Sequence, residues 1–64
     1  MPTVEADRAK IIRRLTSEGW VLHRHGAAHD VYVRSPAPGV VIVPRHRTLS
    51  PGVARAIAKA AGWT

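Results

Sequence analysis

The sequence contains no cysteine. Disulfides and thiolate metal sites are therefore excluded, and stability has to come from packing or partly from a partner. Acids are almost as scarce, with four Asp and Glu against ten Lys and Arg, and they do not cluster. Long apolar runs are missing too. The longest, "GVVIVP" at 39–44, is far short of the ~20 residues a helix needs to cross a bilayer. The opening "MPTVEADRAKIIRR" carries acids and no apolar core, which predicts no signal peptide, and the lack of cysteine suits a reducing, cytoplasmic location. There is no glycine-rich phosphate loop, and no nucleophile motif surrounds Ser17, Ser35 or Ser50. Repeats, linkers and low-complexity stretches are absent as well. One domain over residues 1–64 is expected. A chain of this size buries only ~60% of the surface its unfolded form exposes, so any site has to be a shallow groove or an open face.

What the sequence has in excess is positive charge. Its formal net charge is +6. Arginine supplies most of it, at positions 8, 13, 14, 24, 34, 45, 47 and 55. The planar guanidinium matches phosphate oxygens two at a time, whereas lysine is a hydrated point charge. A small arginine-rich protein is expected to meet a polyanion.

Residues 3–18 read as a helix. Val4, Ile11, Ile12 and Leu15 form one stripe, Thr3 can cap the start, Glu5 and Asp7 sit in the first turn, and Gly19 stops the helix. Three strands follow, at 20–24, 29–35 and 39–44. The second is read with Val31 and Val33 on its apolar face and Tyr32 and Arg34 on the other. "SPAPG" at 35–39 reads as a turn. A second helix at about 51–61 has Ser50 as N-cap and Pro51 in its first position, with Val53, Ile57, Ala60 and Ala61 as its stripe. Trp63 can fold back after Gly62. The expected fold is α+β in the order α-β-β-β-α. Its three-stranded antiparallel sheet carries both helices on one face and leaves the other open.

Four histidines are present, three of them close in sequence: His23, His25 and His29. A metal site would need three converging ligands, and the only nearby carboxylate is Asp30, so ordinary surface histidines are the better reading. His29 differs in kind. It follows the small-residue turn Gly26-Ala27-Ala28 and is flanked by Arg24, His25 and Arg34. An imidazole titrates near neutrality and can take a proton from a ribose 2′-hydroxyl or return one to a leaving oxygen. Strict alternation puts His29 on the face of Val31 and Val33, the one read as apolar, unless a bulge turns it outward.

"GWVLHRHGAAHDVYV" followed by "VVIVPRHRTLSPGVARAIAKAAGW" resembles the HicA toxin family of bacterial toxin–antitoxin systems, over nearly the whole chain. The resemblance implies a double-stranded-RNA-binding-like fold and a metal-independent endoribonuclease, an mRNA interferase that cleaves mRNA through one histidine and needs no cofactor. It also implies a HicB-like antitoxin as partner. The family histidine, usually preceded by Gly-Ser or Gly-Thr, falls on His29, with Ala27 and Ala28 before it. Arg24, Arg34, Arg45 and Arg47 are then the candidates for RNA phosphate binding. The alternatives are an RNA-binding module that does not cleave and a basic domain that docks an acidic protein.

Overall fold

The computed structural model describes residues 4–35 and 39–63. Its elements are α1 (Arg8–Ser17), β1 (Val21–His25), β2 (His29–Arg34), β3 (Gly39–Pro44) and α2 (Pro51–Ala60). The sheet is an antiparallel meander in the order β1-β2-β3. The α+β class and the α-β-β-β-α order are as the sequence predicts. The expected turn at 35–39 lies partly outside the described residues.

Helix α1 begins later than expected. Asp7 is the N-cap: its backbone is extended, and its carboxylate accepts from Ala9 N at 2.9 Å and Lys10 N at 3.4 Å. These bonds satisfy donors that a helix start leaves without partners. Thr3, the expected cap, lies outside the described residues. The segment before the helix is held by the β3–α2 connection instead. Leu49 N donates to Ala6 O at 2.8 Å, Arg8 N donates to Arg47 O at 3.0 Å, and Asp7 pairs with Thr48 in an isolated antiparallel bridge. That pairing takes up backbone groups that a longer helix would use internally. At the other end Gly19 adopts φ +92 and Trp20 N reaches back to Leu15 O, the left-handed stop the sequence predicts.

One layer of side chains forms the core. Ile11 and Leu15 of α1 and Ala54 and Ile57 of α2 meet Tyr32, Val41 and Val43 of the sheet, with Trp20, Leu49 and Ala61 at the margins. On α2 the buried residues are Ala54, Ile57 and Ala58, so the stripe is rotated from the predicted one: Val53 is half-buried and Ala60 exposed. Ser50 caps α2 and Pro51 opens it as predicted, with Ser50 Oγ accepting from Val53 N. Trp63 does fold back, and it also ties the helices together. Its Nε1 donates to Glu18 Oε1 at 2.7 Å, and the Arg14 guanidinium lies 4.3 Å over its ring. The bonds from Trp63 and then Arg14 hold the Glu18 carboxyl below its ordinary value.

The faces of β2 are the reverse of the sequence reading. Asp30 and Tyr32 are buried under the helices, while Val31 and Val33 lie on the uncovered side, half-buried among neighbours in the sheet. Val40 and Ile42, their partners on β3, are about half exposed (51% and 54%), which marks this face as open. Two features misled the alternation argument. The covered positions of β2 carry an acid and a phenol, and β-branched residues suit a pleated surface on either face. The inversion resolves the difficulty with His29: it points to the open face without any bulge. The bulge is in β1 instead. Leu22 pairs with Tyr32 and Arg24 with Val31, which leaves His23 as the extra residue.

Candidate active site

His29 begins β2, directly after the three-residue turn 26–28. Gly26 is required there, because a Cβ on it would come 2.9 Å from the His29 carbonyl oxygen. The same closeness lets Gly26 N donate to that oxygen, also at 2.9 Å. The turn therefore closes on the backbone of His29. The His29 side chain is exposed and makes no hydrogen bond among the described residues.

An open groove of about 490 Å³ runs beside it, lined by Arg24, Gly26, Ala27, Ala28, His29, Val31 and Ile42. Register explains the grouping. Arg24 pairs with Val31, two residues from His29 on the same face, and such diagonal neighbours are ~7–8 Å apart, within reach of a long side chain. Val31 and Ile42 are cross-strand partners and form an apolar floor.

The four predicted phosphate-binding arginines do not gather around His29. Arg24 shares its groove. Arg34 lies at the far end of β2, ~17 Å away by strand rise and on the covered side. There its guanidinium stacks 4.6 Å over Trp20 and contacts the Glu18 carbonyl. Arg47 is exposed in the β3–α2 connection, outside the groove lining, and forms no ion pair among the described residues. Arg45 is close to the turn, but its guanidinium is already bound to protein groups.

The reason is Asp30, whose significance the sequence reading missed. It is the buried acid of the core, 5% exposed, and its oxygens collect partners from three segments. Arg8 Nη2 of α1 reaches Oδ2 at 2.5 Å. Arg45 gives Nε and Nη2 to Oδ1, at 3.1 and 2.9 Å. His25 Nδ1 of β1 is 2.8 Å from Oδ1, although its ring is largely exposed. Burial pushes the Asp30 carboxyl up. The hydrogen bonds and charge of Arg45, joined by His25, outweigh burial and hold the carboxyl below its ordinary value. Arg45 also bonds the Gly26 and Ala27 carbonyls, and Arg8 Nε donates to Pro44 O at 2.9 Å. An acid at an inward position of a strand, next to a buried Tyr32, was the available signal for Asp30. Nothing in the sequence singled out Arg8.

His25 thus sits against Asp30 on the covered side of the hairpin, His23 in the bulge and His29 on the open face. Among the described residues no group of three metal-ligating side chains comes together.

The profile of a family described as the HicA toxin of bacterial toxin–antitoxin systems matches residues 8–63. The chain belongs to the HicA toxin family. It is thus a toxin of a toxin–antitoxin system, and an antitoxin goes with it as partner. The match runs from the first residue of α1 to Trp63 and so includes the hairpin, the Asp30 cluster and both helices. Comparison with curated proteins gave no match. No helix among the described residues of this HicA toxin is long and apolar enough to cross a membrane.

Proposed function

We propose that this HicA toxin is a metal-independent endoribonuclease that cleaves mRNA, with His29 as its general acid–base group. The observation that carries the reading is the placement of His29. Its imidazole is exposed and free of hydrogen bonds among the described residues, in an open groove that also holds Arg24. A single strand of RNA fits a shallow basic groove with an apolar floor, where bases can pack on Val31 and Ile42 while the backbone meets the arginine. In the proposed reaction the imidazole takes the proton of a ribose 2′-hydroxyl, and the 2′-oxygen attacks the adjacent phosphorus. The bond to the 5′-oxygen breaks, and the imidazolium returns its proton to that oxygen as it leaves. Arg24 neutralises the charge that builds on the non-bridging oxygens. Every step uses groups of this chain and of the RNA.

Phosphate binding falls to Arg24 and Arg47, whose guanidinium groups have no acidic partner among the described residues. The +6 net charge supports contact with RNA along more of the surface than the groove alone. A HicB-like antitoxin that covers the groove is the expected means of silencing.

The test is cleavage of RNA by the purified chain and by His29→Ala, together with growth after induced expression. His29 is exposed, so the variant keeps its fold. Loss of both cleavage and toxicity is expected. A folded variant that cleaves as the wild type does would overturn the assignment, and RNA binding without cleavage by the wild type would favour a non-catalytic module.

A further inference from the structure

The three carbonyls of the turn that leads into His29 are all received by one residue. The Arg45 guanidinium donates from Nη2 to Gly26 O and from Nη1 to Ala27 O at 3.3 Å. Its backbone N donates to Ala28 O at 3.2 Å. The same guanidinium gives Nε and the other Nη2 hydrogen to Asp30 Oδ1. Of the five N–H groups an arginine carries, only one on Nη1 is left over. That is too little for the paired grip on phosphate that makes arginine a good RNA ligand.

The anchor beneath it is closed as well. Asp30 is buried, and Arg8 holds its second oxygen. Arg8 also donates to the carbonyl of Pro44, the residue before Arg45. Arg8, Asp30, Arg45 and Pro44 thus form a ring of bonds from helix to strand and back, and the turn hangs from one side of it. The His29 side chain has no bond of its own among the described residues, so its place is set by its backbone, which the turn fixes through Gly26 N and His29 O.

We propose that Arg45, oriented by the buried Asp30 carboxylate, is the positioning residue of the site: it clamps the 26–28 turn and so fixes where the His29 imidazole stands, and it does not bind RNA phosphate. The proposal rests on the reading of His29 as the catalytic group. A planar fork is needed for this task. Lysine offers three donors from a single point and cannot span a carboxylate and two carbonyls at once.

The experiment compares wild type with Arg45→Ala, Arg45→Lys, Arg24→Ala and His29→Ala. Single-turnover cleavage of RNA is measured per folded molecule, the folded fraction being taken from circular dichroism melts. Affinity is measured separately, across a salt series, with a 2′-O-methyl RNA that cannot be cleaved. A misplacement of ~1 Å costs ~10²-fold in rate, so Arg45→Ala should lower the cleavage rate about that much. Its affinity should stay within about twofold of wild type, with an unchanged salt slope. Arg45→Lys should not rescue the rate. Arg24→Ala should instead weaken binding and shallow the slope. A cleavage rate retained in Arg45→Lys, or an affinity loss in Arg45→Ala that matches its loss of rate, would overturn the proposal and make Arg45 a phosphate ligand. Full activity in His29→Ala would bring down the underlying reading instead. An inactive His29→Ala beside a fully active Arg45→Ala would bring down the positioning role alone.

Discussion

Replacing Asp30 by asparagine keeps the shape of the side chain and removes its charge. The carboxylate is buried and bound by Arg8, Arg45 and His25. Removing one partner of a buried ion pair typically costs ~3–5 kcal/mol, because the opposite charge is left without compensation. Here the Arg8 and Arg45 side chains keep 24% and 31% exposure and can lean towards water, so the loss should sit at or just below the low end of that range, about 2–3 kcal/mol. A domain of this size has ~3–10 kcal/mol of stability in all. At ~4–8 °C per kcal/mol, the melting temperature should fall by about 10–20 °C at neutral pH. Because the folded Asp30 carboxyl is held below its ordinary value, its contribution is complete above the unfolded value of ~3.9 and disappears as pH falls through the lower folded one. Melts followed by circular dichroism should therefore show a constant gap between wild type and Asp30→Asn from pH 7 down to about 5, narrowing below about 4. A variant that melts within a few degrees of wild type at pH 7, or a gap that persists at low pH, would refute the account of Asp30 as the charged centre of the fold.

His29→Ala should lower cleavage by ~10²–10⁴-fold in single-turnover assays while melting like the wild type, and His23→Ala, at the bulge, should change the rate far less. Cleavage should survive EDTA; loss in EDTA that Zn²⁺ or Mn²⁺ restores would turn attention to the histidines as metal ligands. RNA affinity should fall steeply with salt, and Arg24→Ala with Arg47→Ala should reduce the logarithmic slope by about one to two contacts at ~0.7 each, a flat salt dependence in the wild type being evidence against RNA binding.

The elements were legible because local rules govern them. Ser50-Pro51 opens α2, Gly19 ends α1, and "GVVIVP" makes β3 over the predicted residues. The start of α1 was not, because it depends on backbone bonds between residues 6–8 and 47–49, which no local pattern announces. The faces of β2 were misread for a related reason. A carboxylate can occupy an inward position only when distant arginines meet it, and Arg8 and Arg45 are brought to Asp30 by the fold. The candidate site divides in the same way. His29 stood out by its turn and its resemblance to the family motif. The arginines could be counted but not sorted, since Arg24 shares the groove while Arg34 stacks on Trp20 and Arg45 is spent on the turn.

The ring around Asp30 also has an order in time. A chain leaving the ribosome presents Arg8 first, then His25 and Asp30, and Arg45 last of the four. Until Arg45 has emerged, the turn before His29 has nothing to hold its carbonyls. A fragment that stops within β3, from a broken or prematurely ended message, would carry the imidazole without its clamp. Cleavage as proposed would therefore require translation past residue 45 and on through α2, whose Ala54 and Ile57 complete the core. For a protein whose own message is RNA, that delay separates being made from being armed.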